Sequence, residues 1–250
     1  MLYLVDTMHT LANIWQRART FRDFYKIVFP FNRFYSGERQ LRLWAGPRVW
    51  VRTPDHIAIF QNIFAKDEYQ LWRLRDLVRQ GQQLTVIDLG AHIGAFSLRI
   101  KQMWPDARVR AYEADADNFA LLTKNVAKNI QGVELHNLAV STHEGTVQFS
   151  PDGSSGSITS HGGVSVQSVA LESIMRGEHI DLVKMDIEGE EYKIFESIPE
   201  ECLLRIRALY IEIHHWKFGG DKEPVLRRLK DFSITYINPD LILARRITQD

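Results

Sequence analysis

Val86-Ile87-Asp88-Leu89-Gly90-Ala91-His92-Ile93-Gly94-Ala95-Phe96 is the stretch on which the fold turns. A short apolar run stops at an acid, a D-x-G-x-x-x-G turn follows, and a helical pattern then runs to Trp104, closed by Pro105. A strand that ends in a glycine turn and opens a helix makes a backbone cradle. Gly90 can take positive φ and lets a ligand approach the main chain, while Gly94 lets the helix pack close to the strand. A second apolar run, Val109 to Tyr112, leads to Glu113, which lies 23 residues beyond Gly90. An acid about 20 residues after such a turn meets the hydroxyls of a ribose.

The glycine spacing sorts the ribose-bearing ligands. A dinucleotide fold uses G-x-G-x-x-G, whose second glycine lets a pyrophosphate touch the backbone. His92 stands at that position here. A ribose ligand without phosphate has no need of the glycine, and S-adenosylmethionine is such a ligand.

Composition sets the outer bounds. A chain of 250 residues can bury a full core, and its 45% hydrophobic and 25% charged content is that of an ordinary soluble globular protein. Cys202 is its single cysteine, which excludes an internal disulfide and fits a reducing, cytoplasmic compartment. No Cys/His spacing suits a metal. No apolar run approaches the ~18 residues of a membrane span, and the N-terminus lacks the basic-then-apolar order of a signal peptide. Net charge is zero but unevenly spread: 13 Lys/Arg against 7 Asp/Glu in residues 1–80, and 18 against 24 in residues 81–250. An acidic second half is poorly suited to gripping a phosphate backbone, so nucleic acid is a disfavoured substrate.

Two regions are expected: an N-terminal helical and hairpin extension over residues 1–80, and a ligand-binding domain over residues 81–250. Residues 1–28 carry apolar side chains at three- and four-residue steps and four basic residues in their second half. Such a helix packs on its own domain, pairs with a second subunit as a homo-oligomer, or lies on a membrane surface. Leu41–Trp44 and Val49–Val51 read as a hairpin through Gly46-Pro47, and His56–Phe64 as a helix. From residue 84 strands (84–89, 108–112, 133–137, 180–185, 208–213) alternate with helices (95–104, 117–128, 190–197, 224–231), and a strand pair (232–237, 241–247) closes the chain. The seven strands predict a doubly wound, mostly parallel α/β sheet whose ligands sit at the strands' carboxyl ends. Further strands are expected at 146–150 and 164–169. Pro151–Gly163 between them reads as a loop, either a connector or a lid.

Acids and a histidine collect at those carboxyl ends. In Lys184-Met185-Asp186-Ile187-Glu188-Gly189-Glu190-Glu191 an extended chain would put Lys184, Asp186 and Glu188 on one side. Glu190 and Glu191 are read as acids favoured at a helix N-terminus. In the neighbouring strand end, Tyr210-Ile211-Glu212-Ile213-His214-His215-Trp216, Glu212 and His214 share a face while His215 points away. Trp216 and the glycines after it suggest the wall of a substrate pocket.

Asp88 to Gly94 together with Glu113 resembles the cofactor site of class I S-adenosylmethionine-dependent methyltransferases. Lys184 to Glu191 resembles the K-x-D-x-E-G-x-E signature of the FkbM-type branch of that superfamily. Three more stretches are similar to that family: Val51–Asp55 leading to Ile63-Phe64 and Glu68-Tyr69, Asn137–Ser141 with Gly145, and Ile211–His214. The likeness covers roughly residues 50–215. Two departures stand out, since the family usually has Asn at His92 and Pro at Ala114.

The resemblance implies a Rossmann-like methyltransferase that binds S-adenosylmethionine through Asp88, Gly90, Ala91, His92, Gly94, Glu113, Ala139 and Asp186. It also implies methyl transfer to a hydroxyl of a saccharide, glycan or natural product. An alcohol must lose its proton to a nearby base, and Asp186, Glu188, Glu212 and His214 are the candidates, with His214 or Glu188 foremost. Mg2+ held by Asp186, Glu188 and Glu212 is an alternative, since hard oxygen ligands suit it. Two rival classes are a nitrogen methyltransferase and a non-catalytic binding protein that retains the fold. The first usually carries an Asn/Asp-Pro-Pro-aromatic turn where this chain has Asp186-Ile187-Glu188-Gly189. Against the second stand the intact glycines, Glu113 and the rim acids.

Overall fold

The fold was analysed in a computed structural model, which describes residues 18–22, 37–44, 46–78, 82–152, 156–160 and 162–247. Most of the helix expected over residues 1–28 lies outside these. Of that stretch, 18–20 are helical and Phe21 bridges to Leu43.

β1 (Arg39–Arg42) and β2 (Arg48–Val51) form an antiparallel hairpin, its first strand two residues earlier than the apolar run suggested. α1 (Pro54–Phe64) follows, capped by the Thr53 hydroxyl accepting from the His56 amide, with Pro54 at the first position where a missing N–H costs nothing. A 3-10 turn over Leu71–Leu77 leads to the main sheet.

The β/α alternation is β3 (Thr85–Leu89), α2 (Ala95–Met103), β4 (Arg108–Tyr112), α3 (Ala116–Asn129) and β5 (Val133–His136). A second sheet interrupts it, built from β6 (Ala139–Ser141), β7 (Gly145–Ser150), β8 (Ser157–Thr159) and β9 (Val164–Ala170) in the order β6-β9-β7-β8. β8 lies inside the segment expected to be loop, paired to β7 from Gln148–Thr159 to Ser150–Ser157. Its sequence is too short and too rich in serine to announce a strand.

The chain then adds α4 (Leu171–Met175), β10 (Ile180–Met185), α5 (Glu191–Ser197), α6 (Glu200–Leu203), β11 (Ile206–Glu212), α7 (Glu223–Leu226), β12 (Phe232–Tyr236) and β13 (Leu241–Arg246). A 3-10 turn over Arg227–Leu229 replaces the second half of the helix expected at 224–231. The seven-stranded sheet has the order β12-β13-β11-β10-β3-β4-β5. The five strands from β11 to β5 are parallel and β13 is antiparallel to both neighbours.

The two faces of the sheet bury alternate residues of each strand. Val86, Leu182, Ala208 and Tyr210 join Phe96 and Leu98 of α2 on one face; Ile87, Val183, Leu209 and Ile211 join Ile194 and Phe195 of α5 on the other. Leu41, Val49, Phe60 and Leu74 from the N-terminal part belong to the first of these clusters. Asn125 of α3 fastens the hairpin to the glycine turn: its amide donates to the carbonyls of Trp50 (3.1 Å) and Ile93 (2.8 Å). Among the described residues no helix is long and apolar enough to cross a membrane.

Candidate active site

The turn after β3 is shaped by the close approach of β10. Gly90 takes φ +71°, and a Cβ there would stand 1.8 Å from the carbonyl oxygen of Asp186. The glycine is therefore required by neighbouring main chain, which the expectation of a ligand approach did not foresee. Gly94, at φ +89°, leaves room for Leu122 of α3, 2.7 Å from where its Cβ would be, rather than for the strand. His92 between them is also left-handed, at φ +51°. Asn and His are both enriched in that region, so the departure from the family's usual Asn brings no special backbone strain.

Lys184, buried, locks this turn to β10. Its Nζ donates to the carbonyls of Gly90 (2.6 Å) and Leu89 (3.3 Å), with Asp186 at 3.3 Å and Asp88 at 3.6 Å. Burial opposes the ammonium charge, but the two carboxylates outweigh it and raise the Lys184 pKa. Complete burial pushes the Asp88 carboxyl up, against the pull of Lys184 and of the Ser97 hydroxyl, which donates to it at 2.7 Å.

Above the turn lies a cavity of about 300 Å³, walled by Gly90, Ala91, His92, Glu113, Ala139 and Asp186. Asp88 and Gly94, also expected at the cofactor site, do not line this wall. Glu113 accepts from the amides of His92 (2.7 Å) and Asp115 (2.8 Å), one on each carboxylate oxygen. Burial pushes its carboxyl up to about 7, although both N–H groups pull the other way. Each oxygen keeps a lone pair beyond those two bonds, an acceptor pair suited to a vicinal diol. The cavity volume reaches the ~300–1,000 Å³ range of small-molecule sites, so a nucleoside cofactor fits both the donor set and the space. Glu68 and Tyr69, just after α1, and Phe149 and Ile158 of the second sheet complete the wall. No site role was read from the sequence for Glu68, Tyr69 or Phe149, because nothing local says that they fold over the strand ends, while Ile158 lies in the segment read as a connector or a lid. Burial raises the Glu68 carboxyl, helped by the charge of Asp186.

The strand-end acids meet at His214. β10 stops at Met185, and Glu188 turns back in the left-handed conformation at φ +55°. Lys184, Asp186 and Glu188 therefore do not share a face of one extended strand, as alternation had suggested. The turn nonetheless brings Glu188 Oε2 within 3.4 Å of His214 Nε2, with Asp186 Oδ1 at 3.7 Å. On the other ring nitrogen, Nδ1, sits Glu191 Oε1 at 3.0 Å. Burial alone would push the His214 pKa down, but its bonds to Glu188 and Glu191 and the charge of Asp186 hold it up at about 10. Glu212 beside it is raised, first by the charge of Asp186 and then by burial.

Glu191 reads as an acid at a helix N-terminus and as the last Glu of the K-x-D-x-E-G-x-E signature, with no site role attached. It is fully buried, and besides His214 it accepts from the amides of Ile187 (3.0 Å) and Gly189 (2.8 Å). It thus shapes the turn that carries Glu188. Its i+5 spacing from Asp186 belongs to that signature, but periodicity gives it no role, because the turn closing that distance is not periodic. Glu190, its neighbour, accepts from Ser141 (2.7 Å) and Lys193 (2.8 Å). His215 faces away, toward Asp240 Oδ1 at 3.2 Å.

Asp186, Glu212 and His214 bring three donor atoms within 4.8 Å of one another. His214 has replaced Glu188 in the triad expected for a cation. One donor of this triad is an imidazole nitrogen, and Mg2+ prefers oxygen throughout, so the donor set fits that ion poorly.

Beyond Glu188 and Glu212 a second cavity of about 440 Å³ opens toward Asp152 and Trp216. The two acids belong to both walls.

The sequence pattern of the methyltransferase FkbM domain matches residues 88–236, more than half of the chain. The chain belongs to that family. It is an S-adenosylmethionine-dependent methyltransferase with the Rossmann-like sheet of its class. Methyltransferase sdnD of Sordaria araneosa is 26% identical over 220 residues, covering 71% of this chain and 82% of that one. Hexuronic acid methyltransferase AglP of Haloferax volcanii is 23% identical over 201 residues, covering 71% and 81%. The matched stretch of the FkbM pattern runs from Asp88 through Glu113, Asp186 and His214, and so takes in the carboxyl ends of β3, β4, β10 and β11.

Proposed function

We propose that this FkbM methyltransferase transfers its methyl group to a hydroxyl oxygen of a saccharide, glycan or natural product. The observation that carries this reading is the pair Glu188 and Glu212, which line both cavities and so stand between donor and acceptor. The name of the Haloferax relative, a hexuronic acid methyltransferase, supports a saccharide acceptor.

The cofactor supplies an activated sulfonium methyl when bound. The Glu113 carboxylate would accept from its ribose hydroxyls, and the Gly90–His92 turn would hold it against β3. The rest of the task is to align the oxygen, exclude water and remove a proton. His214 holds its own proton to about pH 10, which makes it an anchoring cation rather than a base. Glu188 is already engaged by that cation at 3.4 Å. Glu212 faces the charge of Asp186, and its raised pKa suits a proton acceptor working near neutrality. We therefore assign the proton to Glu212, with Glu188 and His214 fixing the geometry around it.

The test is transfer of labelled methyl from S-adenosylmethionine to a panel of hydroxyl and amine acceptors, with the product's methyl located by NMR. A methyl ether is expected. A methyl found only on nitrogen, or no transfer to any hydroxyl by protein that binds the cofactor, overturns the reading.

A further inference from the structure

The second cavity has a wall of unusual charge for a site next to a cationic cofactor. Ser150 and Ser157, at the facing ends of β7 and β8, contribute hydroxyls; Asp152, Glu188 and Glu212 contribute carboxylates. Among the described residues no Lys or Arg lines this wall. Its histidine, His214, is already held by Glu191 at 3.0 Å, Glu188 at 3.4 Å and Asp186 at 3.7 Å. An anion entering from solvent would meet three acids and, among the described residues, no unengaged positive partner on the wall.

The remaining side is aromatic. The Trp216 side chain is 55% exposed, and its ring stands edge-on to the rings of His214 (5.0 Å) and His215 (5.6 Å). His215 in turn is held by Asp240, which also binds Lys222 at 3.0 Å. Trp216 therefore sits on a tethered turn, and a large apolar surface of this kind suits the C–H face of a flat ring whose hydroxyls reach the serines and acids.

We propose that this cavity is the acceptor subsite, and that its carboxylate wall selects ring polyols that are uncharged or carry an ammonium group while rejecting anionic ones such as uronates. The proposal rests on the hydroxyl-methylation reading above and adds the charge of the acceptor. It separates this chain from the relative whose name specifies a hexuronic acid. Hydroxyls satisfy carboxylates by donating to them, and an ammonium adds attraction. A carboxylate on the acceptor can do neither and is repelled, most strongly at low ionic strength.

Saturation-transfer NMR on the full chain, saturated with S-adenosylhomocysteine so that no turnover occurs, tests this with three matched probes. These are methyl glucoside, its 2-amino analogue and methyl glucuronide. The first two are expected to bind at least tenfold more tightly than the glucuronide, with the gap shrinking in high salt and in Asp152→Asn. Trp216→Ala is expected to weaken whichever probes bind. Both substituted side chains are exposed, so the variants keep the fold, and an unchanged far-UV spectrum and cofactor affinity verify it. Glucuronide binding as tightly as the glucoside overturns the charge rule. Binding indifferent to both substitutions overturns the location, and no binding by any probe overturns the subsite's ring-polyol chemistry. None of these outcomes depends on where the methyl goes, so the failure of this inference is distinguishable from that of the hydroxyl reading.

Discussion

Glu191→Gln is the perturbation that bears most directly on how this site is held. The wild-type carboxylate is fully buried and takes three donors: the amides of Ile187 and Gly189, and His214 Nδ1. Glutamine keeps the shape but offers one acceptor oxygen and an NH2, so at least one of the three donors is left unpaired. A buried donor without a partner costs about 1–3 kcal/mol. The charge also disappears from beside the imidazolium. An opposite charge at this range moves a pKa by about 1–3 units, each unit being about 1.4 kcal/mol. The His214 pKa should therefore drop from about 10 toward 7–9.

The sign of the pH dependence follows. His214 has a folded pKa above its unfolded value of 6.5, so its stabilising contribution is complete below pH 6.5 and disappears as pH rises through 10. The variant leaves that window earlier. The stability difference from wild type should therefore be largest near pH 6, about 2–5 kcal/mol if the two effects partly overlap, and should shrink by pH 10. Chemical denaturation across this range measures it. Titration of 15N-histidine, with His214 assigned from a His214→Asn spectrum, reads the pKa itself. A His214 pKa at or above wild type, or a stability loss that does not change with pH, would refute the assignment of Glu191 as the residue that charges and orients this histidine.

Three further outcomes are expected. Cofactor affinity should rise with pH up to about 7 and then level off, because the ribose hydroxyls favour the ionised form of Glu113. Calorimetry in buffers of different ionisation enthalpy should detect proton release below that pH, and Glu113→Ala should bind at least ~10-fold more weakly with the pH dependence gone. Glu212→Gln should abolish turnover while leaving cofactor affinity within about twofold; an active variant removes it as the base. Gly90→Ala drives a Cβ into the Asp186 carbonyl at 1.8 Å and at an unfavourable φ. It should lower stability by at least ~2 kcal/mol, read as a fall in Tm of about 4–8 °C; an unchanged Tm would mean that β3 and β10 are not held this closely.

Much of this protein was legible in one dimension. The alternation of apolar runs with helical stretches after residue 84 located every strand of the main sheet to within two residues, because burial on both faces leaves a dense local signature. Motif spacing reached the glycine turn and Glu113, which line one cavity, for the same reason, since strand, turn and helix are contiguous in the chain. Elsewhere the local signal was ambiguous. An acid at the start of α5 is the default choice at a helix N-terminus; the family signature marks Glu191 and not Glu190, but it says nothing of the imidazole that Glu191 meets. The three-residue β8 was indistinguishable from loop.

The sequence by itself determined the sheet, the glycine turn and the set of acids and histidine at the strand ends, since each depends on residues close in the chain. Only the tertiary structure decided how those groups divide the work. The left-handed turn at Glu188 and the approach of β10 to Gly90 put Asp186, Glu188, Glu191 and Glu212 around one imidazole. That mutual proximity, in a buried site where charges interact strongly, makes His214 a cation and raises Glu212. Folding also laid β7, β8 and the turn after α1 across the strand ends, dividing the space into two cavities. Proton affinities and cavity walls depend on distances between segments far apart in the chain, and no local pattern encodes those distances.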